Sequence, residues 1–330
     1  MTETTTSRGL RRFTEQGLQI GGPLLGLALV IFLFSLDGEV RDRFLTPVNF
    51  RNILTQTVIV ALGALGMVLI IVSGGIDLSV GSVIAFTSVV GAVLIQQELA
   101  VPVVLIGSLA AGGLMGLLNG TIIAKFGLQP FIVTLGMMGV ARGLAKWLAG
   151  NQTVDATGSP LNTLMAVSHP LSPVPPTGVW ITLGLAVLVG LVLVRTVFGR
   201  NTFALGSNEA TARLCGIRVS RLKILIYLVA GLFYGLAGLM QLARLNQGDP
   251  TTAVGLELDV IAAVVIGGAS LSGGVGSVTG AMLGALIMST LRNGALMMGW
   301  PDFMQDIIIG LVIVLAVGID QWRQTRLKRG

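Results

Sequence analysis

The chain has 330 residues, of which 53% are hydrophobic and only 11% are charged. A soluble domain of this size carries more charge at its surface, so this composition and the mean hydropathy of +0.87 indicate an integral membrane protein. One cysteine, Cys215, excludes an intrachain disulfide, and one histidine, His169, cannot by itself form a metal site. The net charge of +6 does not indicate a nucleic-acid partner, because the basic residues lie mainly at the ends of apolar segments. We expect no nucleic acid, metal or cofactor to bind this chain.

Ten apolar segments of about 20 residues, the length that crosses roughly 30 Å of hydrocarbon, follow one another along the chain. The first, from Leu18 to Leu36, follows a polar tail over residues 1–17 and has no small-residue cleavage site, so we expect it to be retained. The others begin near Ile53, Leu78, Val101, Leu128, Val179, Leu222, Leu256, Val275 and Phe303. The sequence therefore predicts an all-α polytopic membrane protein with about ten transmembrane helices. One transmembrane domain covers residues 18–320, and a short tail covers 321–330.

The distribution of basic residues predicts the orientation. With a cytoplasmic N-terminus, 14 of the 21 Lys and Arg residues fall on the inside and seven on the outside, in agreement with the positive-inside rule. Both termini are then cytoplasmic. The Pro-, Thr- and Ser-rich segment 151–178 lies outside and should be mostly irregular. The polar, basic segment 198–223 lies inside, and we interpret it as a docking loop.

An internal repeat relates spans two to five to spans seven to ten. Its matches are Gly75-Ile-Asp77-Leu-Ser-Val80 with Gly255-Leu-Glu257-Leu-Asp-Val260, Asn119-Gly120 with Asn293-Gly294, and Gly127-Leu-Gln-Pro130 with Gly299-Trp-Pro301. Because the copies are five spans apart, they cross the membrane in opposite directions, as in many transporters. Another register, Gly74–Ser79 with Gly267–Ser272, leaves the second copy one span short, and chance similarity of Gly-rich segments is a further alternative. The repeat favours a transport function.

Two acidic segments are candidates for the translocation path. Asp77 and Ser79 lie where three glycines interrupt an apolar run, and non-helical backbone at membrane depth is tolerated only inside protein or beside a wet cavity. Either side chain could instead cap the next helix, and the two interpretations are compatible. Glu257 and Asp259 in the second copy could cap a helix or line an outer opening.

Basic residues near the outer side are further candidates for the path. Arg142 and Lys146 share one helix face in the fifth span, and Arg292 lies comparably in the ninth. These side chains could pair with outer acids, reach lipid headgroups or line the path. The outer acids considered are Glu257, Asp302 and Asp306. The sequence contains no phosphate-binding loop and no nucleophile with a base, so we expect a transport subunit rather than an enzyme.

Three segments resemble the membrane permeases of ribose-type ATP-binding-cassette sugar importers of bacteria. They are GGIDLSVGS at 74–82, ALGSNEATARLCGIRVSRLKI at 204–224 and GLELDVIAAVVIGGASLSGGVGSVTG at 255–280. The resemblance covers roughly residues 50 to 320 and implies a type II-like importer permease in the bacterial inner membrane. It also implies a second permease copy or a related permease, a cytoplasmic ATPase that binds the ATP, and a periplasmic binding protein that delivers a monosaccharide. Ribose is the first expectation for the cargo.

The resemblance places the helix that couples to the ATPase within segment 198–223. A helix starting there is physically reasonable, because Asn208 can cap it, Glu209 lies in its first turn and Gly216 can end it. Ala212 and Leu214 should then contact the ATPase. Alternatively, the segment is only a basic topology signal. The coupling residues implied by the resemblance are Gly206, Asn208, Glu209, Ala212, Arg213, Leu214, Gly216 and Ile217.

Three rival functions differ in their predictions. An ion-coupled secondary carrier would use Asp77, Glu257 and Asp259 and would work without partners. An intramembrane enzyme is disfavoured by the absence of a catalytic constellation. The same type of importer could also carry a different small polyol or a furanose.

Overall fold

The computed structural model describes residues 21–327 apart from residues 168 and 170. The described chain is helical except for connectors and one two-residue antiparallel strand pair, Val154–Asp155 (β1) with Gln247–Gly248 (β2). Helices α1 to α6 cover Gly21–Ser35, Gly38–Phe44, Pro47–Val72, Val80–Gln96, Val101–Phe126 and Pro130–Leu148. Helices α7 to α10 cover Thr177–Arg195, Val197–Ser207, Glu209–Leu214 and Val219–Leu245. Helices α11 to α13 cover Leu256–Ile266, Val278–Met297 and Asp302–Leu327.

Helices occur at all ten positions where the sequence predicts a span. Among the described residues, five of them (α3, α5, α6, α7 and α10) are long and apolar enough to cross a membrane, and α1 and α4 are apolar but shorter. The chain is therefore an all-helical, multi-pass membrane protein, while the count of ten crossings stays a prediction. The predicted tail over 1–17, the start of the first span near Leu18 and residues 328–330 lie outside the described residues. Helices α2 and α8 were not predicted.

Local capping explains several helix ends. Thr46 accepts a hydrogen bond from the Asn49 amide at the start of α3, and Pro47 fills the first helical position, where no amide hydrogen is needed. Ser277 caps α12 in the same way through the Gly280 amide. Helix α5 ends at Gly127, whose φ of 66° is in the left-handed region.

Helix α3 lies at the centre of the molecule, and 89% of its most apolar stretch is buried inside the protein. Helix α10 packs against α3, α4 and α5. Its contact with α5 is a backbone contact, because a Cβ at Gly112 would collide with the carbonyl oxygen of Gly231 and one at Gly116 would collide with that of Tyr227. Small residues allow such close approach between membrane helices. Some of the many glycines of the chain therefore allow α5 and α10 to pack closely where they cross.

Helices α4 and α11 both begin inside the bundle. Val80, the first residue of α4, and Val260 of α11 both contact the middle of α3 at Gly63. A Cβ at Gly81 would meet the Ala253 carbonyl oxygen and the Glu257 carboxylate, so the N-terminal ends of the two helices lie close together. Both connectors that precede these helices therefore reach into the bundle as irregular backbone, which is tolerated at membrane depth only when protein or a cavity surrounds it.

The connection between α6 and α7 is mostly irregular, as predicted for residues 151–178. Its regular parts in the described residues are β1 and a short 3-10 helix over Pro160–Leu164. Strand β1 pairs with β2, which follows α10, so this connection and the one between α10 and α11 lie at the same end of the molecule.

Candidate functional site

Helix α9 forms where the sequence predicts the coupling helix. The Asn208 side chain accepts a hydrogen bond from the Thr211 amide, and Gly216, with φ of 82°, follows the helix end, so both local predictions are confirmed. Glu209 accepts hydrogen bonds from Arg213 Nη2 at 2.6 Å and from Lys223 Nζ at 2.7 Å. Partial burial raises the pKa of Glu209, but the bonds and charges of Lys223 and Arg213 outweigh it and hold this pKa below the ordinary value. The pair with Lys223 joins α9 to the start of α10, whereas the pair with Arg213 lies within α9.

The two residues expected to contact an ATPase differ in exposure. Leu214 is 89% exposed, so its side chain is accessible to a partner. Ala212 is only 3% exposed and packs inside the chain, so the expectation that it contacts a partner is wrong. A six-residue helix lying on the bundle turns one side inward, and Ala212 is on that side. Ile217 is partly buried against the same core.

A groove of about 580 Å³ lies beside α9. Phe198 and Asn201 of α8 form one wall, and Arg221 and Leu225 of α10 form the other. Ile217 also lines it. The groove thus combines apolar surface with a positive charge next to the exposed Leu214.

Gly206 connects this region to the centre of the bundle. A Cβ on Gly206 would collide with the carbonyl oxygen of Val72, the last residue of α3, and would lie 2.6 Å from the Gly274 amide nitrogen. That amide donates a hydrogen bond to the same Val72 carbonyl at 2.9 Å. A Cβ on Gly273 would lie 2.9 Å from Gly74 Cα. The ends of α8 and α3 and the loop before α12 therefore meet backbone to backbone.

Asp77 lies in the connector just before α4 and is buried, with 1% of its surface exposed. Its carboxylate accepts hydrogen bonds from the Ser79 amide at 2.8 Å and the Ser79 hydroxyl at 2.6 Å, and Asn119 Nδ2 donates to Ser79 Oγ at 3.1 Å. Ser79 occupies the N-cap position of α4, but its side chain accepts no hydrogen bond from the amides of the first helical turn, so the interpretation that it caps α4 is wrong. The Tyr227 hydroxyl of α10 lies against Gly75, two residues before Asp77.

Arg292 and Arg142 find different partners. Arg292 Nε donates to Asp259 Oδ2 at 2.6 Å, and its Nη2 lies 3.9 Å from Asp306, so pairing with acids is the correct alternative for this residue. Arg142 Nη1 instead donates to the carbonyl oxygens of Pro250 and Thr252, at 2.8 and 2.7 Å. The hydrogen bonds of Arg142 thus go to backbone carbonyls, because the connector before α11 folds back over α6, while Glu257 and Asp249 are near enough to act on its charge.

A second cavity, the polar cavity, has a volume of about 240 Å³ and lies among α3, α10, α11 and α12. Asp259 and Arg292 line it, whereas Asp77, Ser79, Glu257 and Arg142 do not. Sequence reasoning missed the other polar residues here. Their spacing was the available signal, because Gln241 and Arg244, like Ser289 and Arg292, are three apart and share a helix face. The six polar lining residues are Gln56, Gln241, Arg244, Asp259, Ser289 and Arg292.

No group of three or more His, Cys, Asp or Glu that could hold a metal ion occurs within residues 21–327 as described. The side chains of these sites offer hydrogen bonds and charge pairing. These interactions can hold and orient a polar solute or a partner protein.

Comparison with known proteins gives a consistent assignment. Residues 49–317 match the family described as branched-chain amino acid transport system / permease component. The chain is 40% identical over 332 residues to the ribose import permease protein of Escherichia coli strain K12, covering 97% of this chain and 99% of that protein. It is 38% identical to the ribose import permease protein of Bacillus subtilis strain 168, covering 91% of this chain and 92% of that protein. It is also 37% identical to the L-arabinose ABC transporter permease protein of Azospirillum brasilense, covering 91% of this chain and 88% of that protein. No solved structure matched. With its apolar, glycine-packed helices and a match over most of its length, the chain belongs to the branched-chain amino acid transport system / permease component family.

Proposed function

We propose that this chain is the permease subunit of an ATP-driven importer that moves a monosaccharide, ribose or a similar pentose or hexose, across the bacterial inner membrane. The observation that carries the proposal is the 40% identity to a ribose import permease over nearly the whole of both chains. The importer includes a cytoplasmic ATPase, a periplasmic sugar-binding protein and a second permease, which is a copy of this chain or a related one. ATP binds to the ATPase, so the chain itself is a transport subunit and not an enzyme.

Helix α9 and the groove beside it form the surface on which the ATPase docks. The 89% exposure of Leu214 supports this role, as does the neighbouring groove of about 580 Å³ with Arg221 on one wall. The ion pair between Glu209 and Lys223 fixes α9 to α10, so that a push on α9 moves the bundle rather than the loop alone. Through Gly206, the same push reaches the end of α3 and the loop before α12.

The chain moves its cargo by alternating access between two inverted repeats, α3 to α6 and α10 to α13. The packing of the helices supports this arrangement, because most contacts come in equivalent pairs. In this comparison α3, α4, α5 and α6 correspond to α10, α11, α12 and α13. Helix α3 contacts α12 and α11, and α10 likewise contacts α5 and α4. Helix α4 contacts α5 and α6, and α11 likewise contacts α12 and α13. The contact between α3 and α10 is its own equivalent. In both repeats the second helix also begins inside the bundle, as in transporters whose broken helices surround the path.

The ten helices at the predicted positions and the charge distribution support ten crossings with both termini in the cytoplasm. In this orientation, α9 faces the cytoplasm, and the strand pair β1–β2 faces the periplasm. An ion-coupled carrier is less well supported, because Arg292 already neutralises Asp259.

The decisive experiment is purification of the tagged chain from its native membrane, followed by identification of its partners and by uptake assays in proteoliposomes. We expect a cytoplasmic ATPase to copurify and ribose uptake to require ATP and the binding protein. Leu214→Asp should release the ATPase, whereas Leu171→Asp, which alters an exposed leucine of segment 151–178, should retain it. A chain that purifies alone and transports ribose without ATP would refute the proposal.

A further inference from the structure

The polar cavity contains side chains whose hydrogen-bonding capacity is unused. Ser289 is only 3% exposed, and its hydroxyl has no hydrogen-bond partner among the described residues. Gln56 and Arg244 also make no hydrogen bond or ion pair within the described part of the chain. A buried hydroxyl without a partner costs about 1–3 kcal/mol, and a ligand in the cavity that bonds to Ser289 would recover this cost. These three residues lie on α3, α10 and α12, and the cavity is where their side chains converge.

We propose that the polar cavity is a monosaccharide-binding site within the permease itself. This inference rests on the proposed function, because it assumes that the cargo is a sugar, and it adds the residues that hold that cargo. A sugar hydroxyl both donates and accepts hydrogen bonds. The cavity offers both kinds of partner: Arg244 and Ser289 can donate, the Asp259 carboxylate can accept, and the Gln56 amide can do either.

The walls and the size fit a single sugar ring. Ile59, Val60 and Leu256 line the cavity beside the polar groups, so the C–H faces of a ring have apolar surface to contact. The volume of about 240 Å³ corresponds to about eight water molecules at roughly 30 Å³ each. Pockets for drug-sized ligands begin at roughly 300 Å³. One pentose or hexose fits, and a disaccharide does not.

The charges favour an uncharged sugar. Two guanidinium groups, those of Arg244 and Arg292, face the cavity. They are balanced by the carboxylate of Asp259, which is bound to Arg292, and by Asp306, 3.9 Å from the same guanidinium. A sugar phosphate or sugar acid would add a negative charge to a site that is already balanced. Asp259 is also held in place by its two bonds to Arg292, at 2.6 and 3.1 Å, and is therefore oriented before a ligand arrives.

The test combines labelling with uptake. In a Cys215→Ala background, Ser289→Cys places a thiol in the cavity, and ribose or L-arabinose should slow its reaction with a small maleimide. The matched control is Cys215 in the otherwise unchanged chain, which is exposed beside α9 and whose labelling neither sugar should slow. Ribose 5-phosphate should protect Ser289→Cys less than ribose does. This assay needs neither ATP nor partner proteins.

The uptake assay uses the complete importer in proteoliposomes with radiolabelled ribose and L-arabinose. Ser289→Ala, Gln56→Leu and Arg244→Lys should each slow uptake about two- to tenfold, the loss expected for one hydrogen bond. Arg41→Gln, which alters an exposed arginine outside the cavity, should leave uptake unchanged. Copurification of the ATPase shows that each variant is assembled.

Two results would overturn the binding site. Labelling of Ser289→Cys that neither sugar slows would do so, and so would uptake within twofold of the unchanged importer in all three variants. Protection by ribose 5-phosphate alone would refute the uncharged ligand. An unchanged importer that imports neither sugar with ATP would refute the proposed function instead, and the labelling assay would still decide whether the cavity binds sugar.

Discussion

Replacing Gly206 with alanine tests the backbone junction that links α8 to the centre of the bundle. The added methyl group would collide with the Val72 carbonyl and lie 2.6 Å from the Gly274 amide nitrogen. Both neighbours are backbone, so neither can move aside by changing a rotamer. Overpacking of this kind costs about 1–3 kcal/mol. Loss of the hydrogen bond from Gly274 to Val72 adds about 0.5–1.5 kcal/mol.

An alanine in a helix is also favoured over glycine by up to about 1 kcal/mol, so the expected net destabilisation is about 1–3 kcal/mol. The measurement is thermal unfolding of the purified chain in detergent. The matched control is Gly190→Ala in α7, where the new Cβ would make only an ordinary contact, 3.9 Å from Val278 Cβ. Equal stability of Gly206→Ala and Gly190→Ala would show that the close approach at Gly206 does not exist in the protein.

Three further predictions address the charged groups and the topology. Arg292→Met should destabilise the chain by about 3–5 kcal/mol, because it leaves the buried Asp259 without its partner; adding Asp259→Asn should recover part of the loss in the same unfolding assay, and no recovery would contradict the pairing. Glu209→Gln should cost no more than about 1 kcal/mol at neutral pH, since the pairs with Arg213 and Lys223 are partly exposed. These pairs lower the pKa of Glu209 below 4.5, so the stability that they contribute is present above that pH and is lost as the pH falls below it. The stabilities of the variant and the unchanged chain should therefore converge in acid. A difference that stays constant with pH would contradict this. Reporter fusions should place both termini in the cytoplasm, and a terminus accessible from the periplasm would refute the ten-span topology.

The sequence predicted the features that depend on neighbouring residues. Asn208 and Gly216 indicate the start and end of α9 because capping is local, and apolar length indicates the position of each long helix. The sequence did not predict which side of α9 faces inward, because the burial of Ala212 depends on helices that are distant in the chain. Helix α8 was missed because its polar composition resembles that of a loop.

The same distinction holds for the polar sites. The sequence predicted that Arg292 could pair with an acid, since buried charges need opposite charges, but it did not identify Asp259 as that acid. The backbone partner of Arg142 was not, because a carbonyl oxygen is present in every residue and leaves no mark in the sequence. Gln56 and Ser289 lie more than 200 residues apart in the chain and meet only through the packing of α3 against α12. Spacing within each helix could suggest polar faces but not their convergence.

The packing of α10 has a consequence for biosynthesis. Asp77 lies in the first half of the chain, but Tyr227, whose hydroxyl lies against the neighbouring Gly75, belongs to α10, which is made roughly 150 residues later and must first enter the membrane. Until then, the glycine faces of α5 have no helix against them, and the irregular backbone around Asp77 is incompletely enclosed. The helices that precede α10 therefore cannot complete their folding alone. A chain truncated before α10 would expose this polar segment within the bilayer and become a substrate for membrane quality-control proteases.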